Sequence, residues 1–122
     1  MTLQVWTASL RTRDPDALNI SRKSGEAAFA PSWRVLGAAL GRRRAGVILS
    51  DDEWKEAYAK PYLREMVQSF DRNHAAWEAL LTRERVVLTC YCPSPERCHR
   101  TLLGRFLVRY GAVFHGELDS LR

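Results

Sequence analysis

The stretch RVVLTCYCPSPERCHRTLLGRFLVRYGAVFHGEL, Arg85 to Leu118, holds in order a strand, a turn, a helix and a strand. Arg85 to Cys92 is a mostly apolar run rich in β-branched residues and predicts a strand. Two prolines within residues 93–97 cannot sit inside a central strand or a helix, so a turn follows. From Cys98 to Tyr110 a helix is predicted, with Leu102, Leu103, Phe106, Leu107 and Tyr110 on one face. Gly111 stands where a helix commonly takes its terminal glycine. Ala112 to Leu118 then reads as a final strand. Strand, helix and strand in succession make a βαβ unit, whose strands run parallel.

Working back along the chain, Leu3 to Leu10 predicts a first strand and Leu18 to Ser21 a short second one. A polar turn with an Asp-Pro pair lies between them. Ser32 is a suitable N-cap for a helix over WRVLGAAL that ends near Gly41 and the run Arg42, Arg43, Arg44. Ala45 to Leu49 is apolar throughout and predicts a third strand. Ser50 and Glu53 have the spacing of a capping box. The helix they open should kink or restart at Pro61. A longer helix is expected over Tyr62 to Leu81, with a break near Asp71-Arg72-Asn73. This alternation predicts an α/β fold of one domain spanning residues 1–122, a three-layer sandwich with a mainly parallel sheet flanked by helices. In such sheets ligands bind beyond the carboxyl ends of the strands.

Composition narrows the class. The chain has 122 residues, 46% of them hydrophobic and 27% charged, which suits a globular domain and excludes collagen, coiled coil and disordered tail. No window approaches the roughly 18 apolar residues of a membrane span. No secretory signal opens the chain, so a cytoplasmic protein with reduced thiols is expected. The net charge of +5 is uneven: both ends are basic and residues 51–82 are acidic. Sixteen of the 19 basic residues are arginine, whose planar fork suits phosphate and carboxylate. Anionic small molecules and nucleic acid are therefore candidate partners, although no zinc-finger, helix-turn-helix or RNA-reading signature is present. For the Arg42–Arg44 run, charges that solvate a helix end are the better account.

The three cysteines, Cys90, Cys92 and Cys98, fall within nine residues. Strand periodicity points Cys90 and Cys92 to one side of the sheet. Cys98, His99 and Arg100 fall at the start of the following helix, where free N–H groups favour an anion or a thiolate. Four readings stay open. A thiolate nucleophile would be Cys98 or Cys90, with His99 moving a proton. An anion site would use His99 and Arg100 at the helix start, with Arg97 in the same volume and the cysteines lining the pocket. A Cys3His zinc site has the right donors, but adjacent Cys98 and His99 would diverge by about 100° on a helix. The fourth is plain packing, with the thiols as small buried hydrophobes. Cys92 and Arg97 have the spacing of rhodanese-type loops, yet Pro93 and Pro95 remove two of the N–H donors such a loop needs.

Other candidates are fewer. Tyr58 and Tyr62 lie four apart on a helical path that Pro61 interrupts. His74 and His115 read as structural. Trp6, Trp33, Trp54 and Trp77 lie on four elements, which suits core packing better than base stacking.

The segment VVLTCYCPSPERCHRTLLGRFL resembles the signature of the uncharacterised domain family 488: an apolar strand, a cysteine, a proline-containing turn, then Cys-His-Arg opening a helix. ISRKSG, FAPSW and DDEWKEAYAKPY are similar to that family's shorter members. The resemblance implies an α/β fold and a shared pocket built on Cys90, Cys98, His99 and Arg100, with Ser21 and Arg22 as partners. It implies no established reaction. At Cys92 the chain departs from the pattern, where a glutamate or another residue is expected. The expected function is a Cys/His/Arg pocket for an anion, such as a nucleotide, a modified base or a phosphorylated small molecule. The rivals are a nucleic-acid-binding module and a zinc domain. Cofactor, metal and oligomeric state are left open.

Overall fold

Strands β1 (Gln4–Ser9), β2 (Ala17–Asn19), β3 (Arg85–Cys90) and β4 (Val113–Glu117) pair in the order β2-β3-β1-β4, every pair parallel. Because parallel neighbours cannot be joined by a tight turn, the connections must cross over, and helices fill them. The result is the expected α/β sandwich, a parallel sheet flanked by helices. The structure, a computed structural model, describes residues 2–46, 48–92 and 95–118, without the side chains of Leu40 and Arg42–Arg44. The question of the arginine run therefore lies outside it.

On the core-facing side, Val5 of β1 and Val86, Leu88 and Cys90 of β3 pack with Tyr62, Met66, Trp77, Leu103, Phe106 and Leu107. The alternate residue Trp6 points away from them, as a period of two requires. It stacks on His115 with ring centroids 4.2 Å apart and lies beneath the Arg85 guanidinium. Helix α5 (His99–Leu107) carries the chain from β3 across β1 to β4. It approaches β4 closely because residue 104 is glycine: a Cβ there would lie 2.5 Å from the Phe114 ring.

Strand β4 holds one irregularity that matters for the site. Val5 pairs with Phe114, but Trp6 pairs with Gly116, so His115 is an extra residue. Gly116 has φ +97°, a conformation that favours glycine. Such a bulge shifts the alternation by one. Glu117 thereby faces the same side as Phe114 and stands beside Thr7 in register.

The helices follow the sequence with three corrections. First, α1 (Trp33–Arg44) runs past Gly41, and Ala45–Leu49 forms no strand among its described residues. Gly46 at φ +78° turns the chain out of the helix; Ile48 is 91% exposed while Leu49 is buried. An unalternating apolar run is ambiguous by periodicity, and here it serves as a connection.

Second, the irregularity expected at Pro61 takes the form of a π-helical segment just before it, with no non-helical break in the chain. Ser50 and Glu53 form the expected capping box on α2 (Asp51–Trp54), which continues through a π-helical segment, Lys55–Ala59, into α3 (Lys60–Arg72). Pro61 lies in the first turn after this segment, where its missing N–H does least harm. Asn73 then breaks the helix, as expected, before α4 (His74–Leu81). Third, of the four tryptophans only Trp77 is fully buried, and Trp33 is exposed. Helix α5 passes into a 3-10 turn that ends at Gly111 with φ +93°, as its glycine signal implies.

Candidate metal centre

Cys90 ends β3 at the carboxyl edge of the sheet, and Cys98 is the N-cap of α5. As an N-cap, Cys98 has extended backbone angles, φ −131° and ψ 146°. The helical divergence expected between residues 98 and 99 does not apply, because only His99 is inside the helix. Cys98 Sγ lies 3.9 Å from His99 Nδ1. Cys92, two residues beyond the strand, supplies a third sulfur on the same side. The three Sγ atoms and a ring nitrogen of His99 all lie within 4.8 Å of one another. Cys90 is 1% exposed, Cys98 0% and His99 4%, with Cys92 partly buried.

The imidazole has a fixed orientation. His99 Nε2 is 2.9 Å from the Ile20 carbonyl, which can only accept, so Nε2 carries the proton. Burial lowers the imidazole's pKa, so the ring is neutral. Its one lone pair, on Nδ1, faces Cys98 and the Tyr58 hydroxyl 3.3 Å away. The buried phenol has its pKa raised by desolvation and is therefore an O–H donor.

The sulfurs share charge unequally. Cys90 is held well below the ordinary thiol pKa because the thiols of Cys92 and Cys98 hydrogen-bond to it, with help from Arg100. Cys92 is pushed up by its hydrogen bond to Cys90, and Cys98 by burial. One thiolate, at Cys90, is thus stabilised by its neighbours. Arg100 Nη1 donates to Cys90 Sγ at 3.2 Å and to the Cys92 carbonyl at 2.9 Å. The far side of the same guanidinium is held by Glu117 through Nε (3.1 Å) and Nη2 (2.7 Å). Thr7 donates to Glu117 at 2.6 Å, completing a line from β1 to the sulfurs.

Of the expected site residues, the structure brings together Cys90, Cys98, His99 and Arg100, and adds Cys92. Ser21 follows Ile20 but binds Asn19 Oδ1 and Ser24 instead. Arg22 donates to the carbonyls of Pro31, Ala27 and Ala30, holding the segment before α1. Arg97 binds the Leu49 carbonyl and Asp51. Sequence reasoning missed Glu117 as a partner of Arg100, and gave Tyr58 no role at the cluster. The bulge hid the first, and a separation of 41 residues hid the second. Residues 93 and 94 of the intervening turn lie outside the described residues.

Among the described residues no helix is long and apolar enough to cross a membrane. A family model described as the Active DUF488-N3 subclade matches residues 22–111, nearly three quarters of the chain. Neither a curated protein nor a solved structure matches the chain.

Proposed function

The chain belongs to the DUF488 family, and from that premise and the cluster's geometry we propose that it binds one zinc-class divalent cation through Cys90, Cys92, Cys98 and His99. The observation that carries this reading is the convergence of four donor atoms within 4.8 Å in a buried place. A tetrahedral Zn²⁺ with three sulfurs and one nitrogen spaces its donors by roughly 3.5–3.8 Å. Only a small contraction is needed. The surroundings also fit. Metal-ligating histidines usually donate their second nitrogen to a carbonyl, as His99 does to Ile20. Three thiolates and a divalent cation leave one negative charge, which the adjoining Arg100 balances. With four protein donors the set is closed, as in structural sites, and the ion would fasten the 91–98 loop between β3 and α5.

Protein purified without chelator should carry about one equivalent of zinc by elemental analysis. Cys98→Ser and His99→Ala should each lose most of it, and Arg22→Ala should keep it. A folded, metal-free preparation that takes up no added zinc overturns the reading.

A second reading rests on the hydrogen bond from Arg100 to Cys90 and the lowered Cys90 pKa. Here the metal-free Cys90 thiolate is a nucleophile toward a nucleotide or phosphorylated small molecule, whose anionic group an arginine would hold. Arg100 is already engaged by Glu117, Cys92 and Cys90, so it would serve the thiolate more than an incoming anion. Rapid alkylation of Cys90 far below the free-thiol pKa of about 8.5, in metal-free protein, distinguishes it.

A further inference from the structure

Tyr58 occupies a position that metal binding cannot ignore. Its hydroxyl lies 3.3 Å from His99 Nδ1, and His99 Nε2 is committed to the Ile20 carbonyl. A neutral imidazole has a single lone pair in the ring plane. That lone pair cannot accept the Tyr58 proton and bind a cation at once.

The tyrosine is held in place from both sides. Its ring stacks between Trp54 (centroids 5.7 Å) and Tyr62 (6.4 Å), and it is 4% exposed. Tyr62 is itself fixed by its hydroxyl on the Phe29 carbonyl at 2.7 Å. Tyr58 lies within the π-helical segment Lys55–Ala59, and such insertions frequently mark functional positions because they re-aim side chains. Besides His99, the titratable groups acting on the phenol include the sulfurs of the cluster and Glu65.

We infer that Tyr58 is a positioning residue that holds the cluster in its metal-free form, capping the nitrogen a cation would take. In that form the hydroxyl keeps Nδ1 satisfied and the imidazole oriented. When a cation takes Nδ1, the hydroxyl must give up its acceptor in a place shut off from water. The nearby sulfurs are the alternative acceptors. Once bound to the cation they have given it part of their charge and accept more weakly than the imidazole nitrogen, so the exchange opposes the bound state and Tyr58 weakens cation affinity. The inference rests on the metal reading above and adds a regulator to it.

The test uses Zn²⁺, and Co²⁺ as a spectroscopic probe, titrated into the full-length metal-free protein. Tyr58→Phe keeps the ring stack and removes only the hydroxyl. It should bind Zn²⁺ more tightly, on the order of tenfold. Its Co²⁺ spectrum should keep the d–d and thiolate charge-transfer bands of the parent, which a disturbed fold would not do. Affinity equal to or weaker than the parent, with the parent binding normally, overturns the role of Tyr58 alone. Failure of both proteins to bind either ion overturns the metal reading together with it.

Discussion

Two arginines, both engaged by carboxylates, sit at opposite ends of the sheet and serve opposite purposes. Arg85, at the start of β3, clasps Asp14 with two bonds of 2.6 and 2.9 Å and reaches Asp16 at 2.9 Å. Its side chain is about a third exposed, over the face of Trp6. Arg100, beyond the end of β3, is 1% exposed and pairs with a Glu117 that is itself largely buried. The first pair ties down the β1–β2 connection and meets water through Arg85, although the Asp14 side chain is as buried as that of Glu117. The second is shut away from solvent and turns its remaining donors to sulfur and a loop carbonyl. The same two functional groups make a surface clasp in one place and the support of a site in the other. Burial makes the difference, because an unpaired charge is costly only where water cannot reach it.

Breaking the buried pair should have the largest effect. Arg100→Met leaves Glu117 without its cation and should cost about 3–5 kcal/mol in denaturant melts, with loss of bound zinc. Equal stability of variant and parent would place Arg100 among dispensable contacts.

An intermediate effect is expected from Gly116→Ala. Nothing lies within 4 Å of the added Cβ, so the cost is conformational: about 1–2 kcal/mol for an L residue at φ +97°. Because the bulge is what aims Glu117, the variant should also lower zinc affinity, which a change in backbone strain alone would not do. Calorimetry and zinc titration on one preparation separate the two.

The smallest effect belongs to the part-exposed clasp. Asp14→Asn should cost less than about 1 kcal/mol near neutrality, and less again at high salt. The bidentate Arg85 contact, followed by the backbone N–H of Asp16, lowers the Asp14 pKa below its unfolded value. Its contribution is therefore full above pH ~4 and fades as the pH falls through the lower native pKa. The difference in melting temperature between parent and Asp14→Asn should shrink from pH 7 to pH 3. A difference that widens on acidification contradicts the assignment.

The legibility of these regions follows from how local their causes are. The Ser50–Glu53 box, the apolar face of α5 and the Gly111 terminus are short-range patterns, and each was readable. The Ala45–Leu49 segment misled because an apolar run carries no direction: a strand and a connection that buries only Leu49 among its described residues present it alike. Pro61 marked where the helix changes but not how, since the form of the irregularity depends on which N–H the preceding turn already leaves unused. At the site, Cys90, Cys98, His99 and Arg100 were named from one short window. The objection to a shared ion failed on a single dihedral pair at Cys98.

Sequence alone determined the α/β alternation, the βαβ unit at the C-terminal end and the window that holds the cluster. These depend on periodicity, caps and turn residues within a few positions of one another. Tertiary structure decided what the window can do. The bulge at His115 put Glu117 behind Arg100, a π-helical segment brought Tyr58 onto His99, and the Ile20 carbonyl set the imidazole's tautomer. Each of these partners is remote in sequence or re-phased by one residue, so no local pattern records it. Only the closed fold brings a carboxylate, a phenol and a carbonyl to bear on one buried imidazole and three sulfurs.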